Sequence, residues 1–361
     1  MSTAPSLSVR ELVRALSLRD LSDPSAGPHA MQLVVDAILT SLAPLPIHVE
    51  RASPIVSIAD NYDRLNYPPE GAARDARYTR YVGGGALLRT QTSAMIPPLL
   101  ERAWPDDVVL ACPGLVYRRD VIDRLHVGEP HQLDVWRIAR RPLDEPDLDA
   151  MIDAVVRAAL PGCAYRTEPA VHPYTTRGRQ IDALVGGAWI EIGECGLAAQ
   201  ELLPPSTWGL AMGLGLDRLV MLRKGHDDIR LLRATDPRIA SQLLDLSPYR
   251  PVSPMPEVRR DLSIVTRERP DAEALGDRVR AALGARAELV ESVELVSATP
   301  GRELPASARE RLGMREDEHN ALVRVVLRAL DRTLTHAECN ALRDEVYASI
   351  HEGRRHHWAV R

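Results

Sequence analysis

The run Val116-Tyr117-Arg118-Arg119-Asp120 sets two adjacent arginines beside an acid, and Gln132-Leu133-Asp134 follows it. Further along stand Glu191, in a β-branched run, and Arg218, behind a Gly-Leu-Gly step. Arginine suits phosphate and carboxylate oxygens because its planar fork stays charged and can bind two oxygens at once. Carboxylates suit hard cations, which keep several waters when bound to phosphates. Taken singly, each has a plainer reading. The arginines would be surface ion pairs, Glu191 a solvated strand-end acid, and Gln132 with Asp134 a chance pair on an exposed strand.

The elements that must position these residues are partly legible. Ser8 and Glu11 form a capping box before Leu12, Val13 and Leu16 at helical spacing, so the arginines at 10, 14 and 19 belong to a capped helix rather than a transit peptide. A second apolar helix is expected over Ala30–Leu42, and a third over Asp147–Leu160 with Leu148, Ile152, Val155 and Val156 on one face. Strands are expected at Ala86–Leu88, Val108–Ala111, Gln132–Ile138 and Ala188–Ile192. Strands separated by turns, with helices interspersed rather than alternating, predict an α+β domain around an antiparallel sheet.

Pro248, Pro251, Pro254 and Pro256 mark a linker. Beyond it the pattern predicts a strand at Leu262–Thr266, a helix at Ala272–Leu283 and strands near Leu289–Val296 and Leu322–Leu330. A helix capped by Thr335 and Glu338 and a last strand at His357–Val360 complete it. That order is the ferredoxin-like βαββαβ arrangement. The expected domains are an N-terminal helical segment (1–45), a catalytic domain (46–246), the linker (247–256) and a C-terminal domain (257–361).

Composition narrows the function classes. The 361 residues carry a net charge of −5, so the chain as a whole is not a basic nucleic-acid binder, and any RNA must meet local patches. The four cysteines lie far apart with no zinc spacing, which predicts a reducing cytoplasm and no structural metal. No apolar run approaches a membrane span. Lys224 is the only lysine, and Phe is absent beside nine Tyr and five Trp. Drift under GC bias, selection for synthesis when Phe-tRNA is scarce, and design all account for the missing Phe.

Several segments together resemble the phenylalanyl-tRNA synthetase family. LVYRRDVIDRLHVGEPHQLDVWRI from Leu115 resembles class II motif 2 in its phenylalanyl form, and LAMGLGLDRLVM from Leu210 resembles motif 3. NYDRLNYPP from Asn61, LLRTQTSAM from Leu87, HPYT at His172, WIEIGECGL at Trp189 and DIRLL at Asp228 are similar to further family elements, in family order. MPEVRRDLSIV and RTLTHAECNALRDEV look like the start and second helix of the family's anticodon-binding domain. The resemblance covers most of the chain from about residue 45, in the layout of the single-chain organellar form. Motif 1 is weak, with Pro54 its anchor. The implied fold is a class II synthetase antiparallel-sheet catalytic domain followed by a ferredoxin-like domain.

The resemblance implies the chemistry as well. ATP and Mg2+ would serve formation of an aminoacyl-adenylate, by attack of a carboxylate on the α-phosphate, before transfer to tRNA. Arg118 would bridge carboxylate and α-phosphate, and Arg218 would lie against adenine and the γ-phosphate. Asp120, Pro130 and Glu191 fall at ATP-binding positions, Glu191 also near the metal. Gln91, Ser93, Gln132, Asp134, His172, Tyr174 and Ala211 fall at amino-acid-binding positions. Arg259 and Arg260, with Arg354 and Arg355, are candidates for RNA phosphates or for a solvated face. The implied partners are an amino acid and tRNA, in the cytoplasm, with no membrane and no second synthetase subunit.

The departures cluster in the pocket. His172-Pro173-Tyr174 stands for the family's Phe-Pro-Phe, Gln91 for a His, and Ile96 for a common Gln. Glu194 stands for a Gly, and Pro130 for a ring that stacks on adenine, an interaction worth about 1–3 kcal/mol. Polar groups in an apolar slot favour a substrate that hydrogen-bonds them. Alternatively, His172 hydrogen-bonds within the protein and phenylalanine is retained. Two other functions stay open: a paralogue that passes a non-standard amino acid to a small molecule or carrier, and a non-catalytic sensor or RNA-binding protein.

Overall fold

The computed structural model describes residues 6–76, 78–119, 121–252 and 256–356. It divides into two compact units, neither continuous in the chain. The first comprises Met1–Arg118, Glu129–Asp227 and Ser241–Tyr249. The second comprises Arg119–Gly128, Asp228–Ala240 and Arg250–Arg361.

In the first unit the strands are β1 (Ile47–Val49), β2 (Ile55–Ser57), β3 (Tyr81–Gly83), β4 (Ala86–Leu88), β5 (Asp107–Leu115) and β6 (His131–Ala139). They continue with β7 (Tyr165–Pro169), β8 (Thr175–Val185), β9 (Ala188–Ala198) and β10 (Trp208–Gly215). Seven of them form one sheet in the order β1-β5-β6-β10-β9-β8-β7, antiparallel except for the β1–β5 pair. The other three pair as β2-β4-β3. The mixed α+β class expected from the sequence is what forms.

One face of the large sheet is covered by helices Ala30–Ser41 and Glu145–Ala159, which pack on each other. The second begins with a reciprocal cap between Asp144 and Asp147 and buries Leu148, Met151, Ile152, Val155, Val156 and Ala159. Each fully buried Leu, Ile or Val of this kind contributes about 1.5–3 kcal/mol. The N-terminal helix Val9–Leu16 starts at the predicted capping box, with Ser8 and Glu11 bonding each other's backbone N–H groups.

A fully buried histidine, His131, ties the start of β6 to the helix Leu216–Lys224. The backbone N–H of Leu21 donates to His131 Nε2 at 3.0 Å, which leaves the ring proton on Nδ1, 3.1 Å from the Asp217 carboxylate. Asp217 lies in the first turn of helix Leu216–Lys224 and also accepts from the His131 backbone N–H. At the helix's other end Lys224, buried, donates from Nζ to the carbonyl oxygens of Asp245 (2.9 Å) and Ser247 (2.7 Å). Burial pushes its ammonium pKa down.

The second unit holds strands β11 (Val258–Thr266), β12 (Val290–Pro300) and β13 (His319–Leu327), antiparallel in the order β11-β13-β12. Helices Ala272–Leu283 and His336–Ile350 pack on each other, over a core that includes Leu262, Ile264, Val279, Val323, Val325 and Val346. The final strand expected at His357–Val360 lies outside the described residues, as does Pro254 of the linker. Ile122 from Arg119–Gly128 joins this core, and the Arg124 backbone oxygen accepts from Ile229 N–H at 2.8 Å. Helix Ala306–Leu312 was not foreseen. Among the described residues no helix is long and apolar enough to cross a membrane.

Candidate active site

Directly opposed residues of antiparallel strands project to the same face of a sheet. On that basis the registers of β5, β6, β10 and β9 place most of the candidate residues on one surface. Asp134 on β6 faces Cys112 on β5 and Gly213 on β10, and Gly213 in turn faces Glu194 on β9. One step along, Trp136 faces Leu110 and Ala211, and Ala211 faces Gly196. One step the other way, Gln132 faces Gly114 and Gly215.

β10 therefore presents Gly209, Ala211, Gly213 and Gly215 to this face, and a trough runs along it where almost no side chain rises. Its walls are Gln132, Asp134 and Trp136 on one side and Glu194 and Gly196 on the other. The neighbouring strand must come close for this to form. A Cβ on Gly193 would lie 2.3 Å from the Gly213 carbonyl oxygen, which only glycine avoids.

Asp134 is 2% exposed. Thr92 Oγ1 donates to Oδ2 and Ser93 Oγ to Oδ1, each at 2.7 Å, and Trp136 Nε1 lies 3.4 Å from Oδ1. Burial pushes the Asp134 pKa up, and the two hydroxyls only partly oppose it. Gln132 Oε1 accepts from the Thr92 backbone N–H at 3.3 Å. Gln91 sits apart from Asp134's partners. It accepts from the Tyr67 hydroxyl at 2.6 Å and donates from Nε2 to the Asn61 carbonyl oxygen at 2.9 Å.

Tyr174 is buried and stacks on Trp136, ring centres 5.8 Å apart at 25°. Tyr67 lies 6.3 Å from Tyr174, and these rings share a core cluster with Ala211, Leu110 and Cys112. His172 does not join that stack closely. Its Nε2 is 2.9 Å from Glu194 Oε2, and its ring is 6.4 Å from that of Tyr174. Two of the departures from the family pattern are thus partners in one contact.

The charged end of the trough holds Arg218, in the first turn of its helix. Nη1 donates to the Glu191 carbonyl oxygen at 2.7 Å and lies 4.0 Å from the Glu191 carboxylate. Glu191 is exposed. Arg118 is exposed too, and its guanidinium has no partner among the described residues; its carbonyl oxygen accepts from Arg80 at 3.5 Å. Asp120 lies outside the described residues. Pro130, just before β6, accepts from the Val116 backbone N–H at 2.8 Å and offers no aromatic face. In the second unit Arg259 pairs with Glu257, and a groove of about 360 Å3 beside it is lined by Arg259, Arg260, Asp261, Arg324 and Arg343.

The arrangement fits a nucleotide with a phosphate-borne cation better than a resident metal. No group of three His, Cys, Asp or Glu side chains among the described residues is placed to hold an ion by itself. One exposed carboxylate, Glu191, beside an arginine is the kind of donor set that meets Mg2+ already carried on phosphates. Sequence reasoning missed Thr92, Trp136, Tyr67 and Gly213. Trp136 was within its reach, since a residue two beyond Asp134 on a strand must share its face.

The family model described as "tRNA synthetases class II core domain (F)" matches residues 16–243. The phenylalanine–tRNA ligase alpha subunit of Prochlorococcus marinus strain NATL2A is 33% identical over 220 residues, covering 59% of this chain and 65% of that one. That of strain MIT 9313 is 32% identical over 234 residues, covering 62% and 69%. This chain therefore spans about two thirds of the length of these relatives. A pyrrolysyl-tRNA synthetase structure from Desulfitobacterium hafniense matches with 17% identity and TM-score 0.46, covering 63% and 78%.

These relatives correct one expectation. The sequence suggested that no second synthetase subunit is required, but the matched chains are each named an alpha subunit, one kind of chain in an enzyme with more than one. The single-chain layout was inferred from the lack of the long N-terminal coiled coil of the two-subunit form, whereas the similarity lies in the catalytic core. Class II tRNA synthetases in general use ATP and Mg2+. On the strength of the matched core, the chain belongs to the class II tRNA synthetase family, F type.

Proposed function

We propose that this protein activates an amino acid with ATP to form an aminoacyl-adenylate and transfers it to tRNA, in the manner of a phenylalanine–tRNA ligase. The observation that carries this reading is the trough over β10. It joins a buried acceptor, Asp134, at one end to Arg218 and Glu191 at the other, on a rigid sheet. Adenylate formation needs little covalent help from a protein, only positioning and neutralisation of charge building on phosphate oxygens.

In this reading Asp134, with Gln132 and Ser93 beside it, holds the substrate ammonium and so fixes the carboxylate that attacks. Arg118 binds the carboxylate and α-phosphate oxygens, and its exposed guanidinium is free to reach them. Arg218, held by the Glu191 carbonyl oxygen, supplies positive charge at the far phosphate. Bound Mg2+ would offset phosphate charge, with Glu191 as its protein carboxylate. Pro130 presents no aromatic ring to adenine, so ATP is held by the arginines more than by stacking.

The second unit's strand and helix order supports a ferredoxin-like anticodon-binding module. Arg259 and Arg260 on β11 are its candidate phosphate contacts. The four cysteines are unpaired, in keeping with a cytoplasmic setting.

Pyrophosphate exchange tests the reading, with a panel of amino acids and protein purified from its source cells so that any associated chain is retained. Exchange dependent on one amino acid, lost in Arg218→Ala, supports it. Absence of exchange with every amino acid overturns it. Exchange without acid-precipitable tRNA product leaves activation standing and refutes the transfer to tRNA. That outcome would match a paralogue serving another acceptor.

A further inference from the structure

The trough is open at one end and shut at the other. Gly213 and Gly215 are partly exposed, whereas Gly209 and Ala211 are buried. The closure over Ala211 has an identifiable cause. Trp136, opposite Ala211 in register, is fully buried. Its indole stacks on Tyr174, and Tyr67 backs that stack. All three rings and Ala211 belong to one packed cluster.

The usable floor thus runs over Gly213 and Gly215, about 7 Å of strand. At Gly213 two carboxylates face each other across bare backbone. Asp134 rises from β6 and Glu194 from β9, on strands about 9.6 Å apart with β10 between them. Burial pushes the Tyr174 pKa up, and Asp134, Tyr67 and Glu194 add to the rise. Asp134 has its hydroxyl donors. Glu194 is less provided for: His172 Nε2 reaches Oε2, while the Glu194 side chain is 44% exposed.

A substrate whose ammonium sits at Asp134 has its side chain directed along or across this floor. A benzyl group directed along it meets the Trp136–Tyr174 stack. Directed across it, the ring covers the Glu194 carboxylate and strips water from it without offering a hydrogen bond, which is unfavourable for a charge. A short side chain ending in a donor meets neither obstacle.

We infer that the amino acid activated here is not phenylalanine but one with a short side chain bearing a hydroxyl or ammonium donor, which Glu194, steadied by His172, accepts. This rests on the adenylate-forming reading above. Glu194 is then a specificity-determining residue, and Trp136 is the residue that excludes a larger side chain. His172 is a positioning residue acting through Glu194.

The test compares phenylalanine, tyrosine, alanine, serine, threonine and 2,3-diaminopropionate in pyrophosphate exchange and in binding calorimetry, on the full-length protein. Serine, threonine or diaminopropionate should exceed phenylalanine in kcat/KM by at least about a hundredfold. Serine against diaminopropionate tells hydroxyl from ammonium. Glu194→Ala, at a half-exposed position that folding tolerates, should cut the ratio of the preferred substrate to alanine at least about tenfold. A general structural defect would lower both alike and leave that ratio unchanged, which overturns the assignment. Phenylalanine as the best substrate sinks this inference and leaves adenylate formation intact. Exchange and binding with none of the panel or any other amino acid sinks both.

Discussion

His172 Nε2 lies 2.9 Å from Glu194 Oε2, joining the two residues whose types depart most from the family's apolar slot. His172 is 9% exposed and Glu194 44% by side chain, so the contact sits at the edge of the trough with one partner sheltered. Partly exposed pairs of this kind couple weakly, typically by about 0.2–1 kcal/mol. A double-mutant cycle of His172→Ala and Glu194→Ala, followed by chemical denaturation, should return a coupling in that range. A coupling near zero would mean that the pair does not form in solution.

Gly213 offers a clean probe of the trough. An added Cβ would find its nearest neighbours, the Asp134 carboxylate oxygens, at 3.9 Å, which is ordinary contact. Gly213→Ala should therefore fold with stability within about 1 kcal/mol of the parent or slightly above it, since alanine loses less backbone entropy. The methyl group nonetheless projects where the substrate would lie. The amino-acid KM should rise at least about tenfold while the melting temperature is held. A KM that does not move would put the substrate elsewhere.

Asp134 should leave a mark on the pH profile. Burial raises its pKa above that of a free aspartate, and the Thr92 and Ser93 hydroxyls recover only part of that. Its ionised form is the one that attracts an ammonium group, so kcat/KM should fall as pH drops through this raised pKa. The linkage for stability has the opposite sense. The folded state holds the Asp134 proton more tightly than the unfolded chain, so ionisation at neutral pH is a cost that Asp134→Asn removes. That variant should lose the acid limb and at least about a hundredfold in kcat/KM while remaining folded.

In the second unit His351 is 4% exposed, accepting at Nδ1 from the Val265 N–H and facing the Arg355 carbonyl oxygen with Nε2. Burial, with His356 beside it, pushes its pKa from 6.5 down to about 4. The unfolded chain therefore binds this proton more readily than the folded one between those values. The neutral ring's contribution is present in full above about pH 6.5 and drains away as pH falls toward 4, by on the order of 1–3 kcal/mol. Urea melts from pH 7 to 4 should show that loss, and His351→Gln should flatten it. An unchanged slope in the variant would assign the acid sensitivity to other groups.

How much of this was legible without coordinates depends on the range of each signal. Capping boxes at Ser8 and Thr335, the amphipathic helix after Asp144 and helix Ala272–Leu283 are written within a few residues, and they form as read. β9 was read as far as Ile192 but continues to Ala198, because Gly193 and Gly196 break the apolar run while the neighbouring strands carry the pairing. β8 was missed altogether. Its first half, Thr175 to Gln180, is polar and partly exposed, so the alternation that marks a half-buried strand is absent there.

By itself, then, the sequence pointed to the family and supplied a set of candidate site residues, several of which depart from the family's pattern. Those are matters of residue type and local order. The tertiary structure decided what the alterations amount to. His172 and Glu194 stand 22 residues apart, yet the β8–β9 pairing brings them to 2.9 Å. Trp136 closes over Ala211 only because β6 and β10 pair in one register. A shift of one residue would turn that indole to the opposite face. Strand register is a long-range property, fixed by burial of a whole face at once, and no stretch of chain short enough to be read alone carries it.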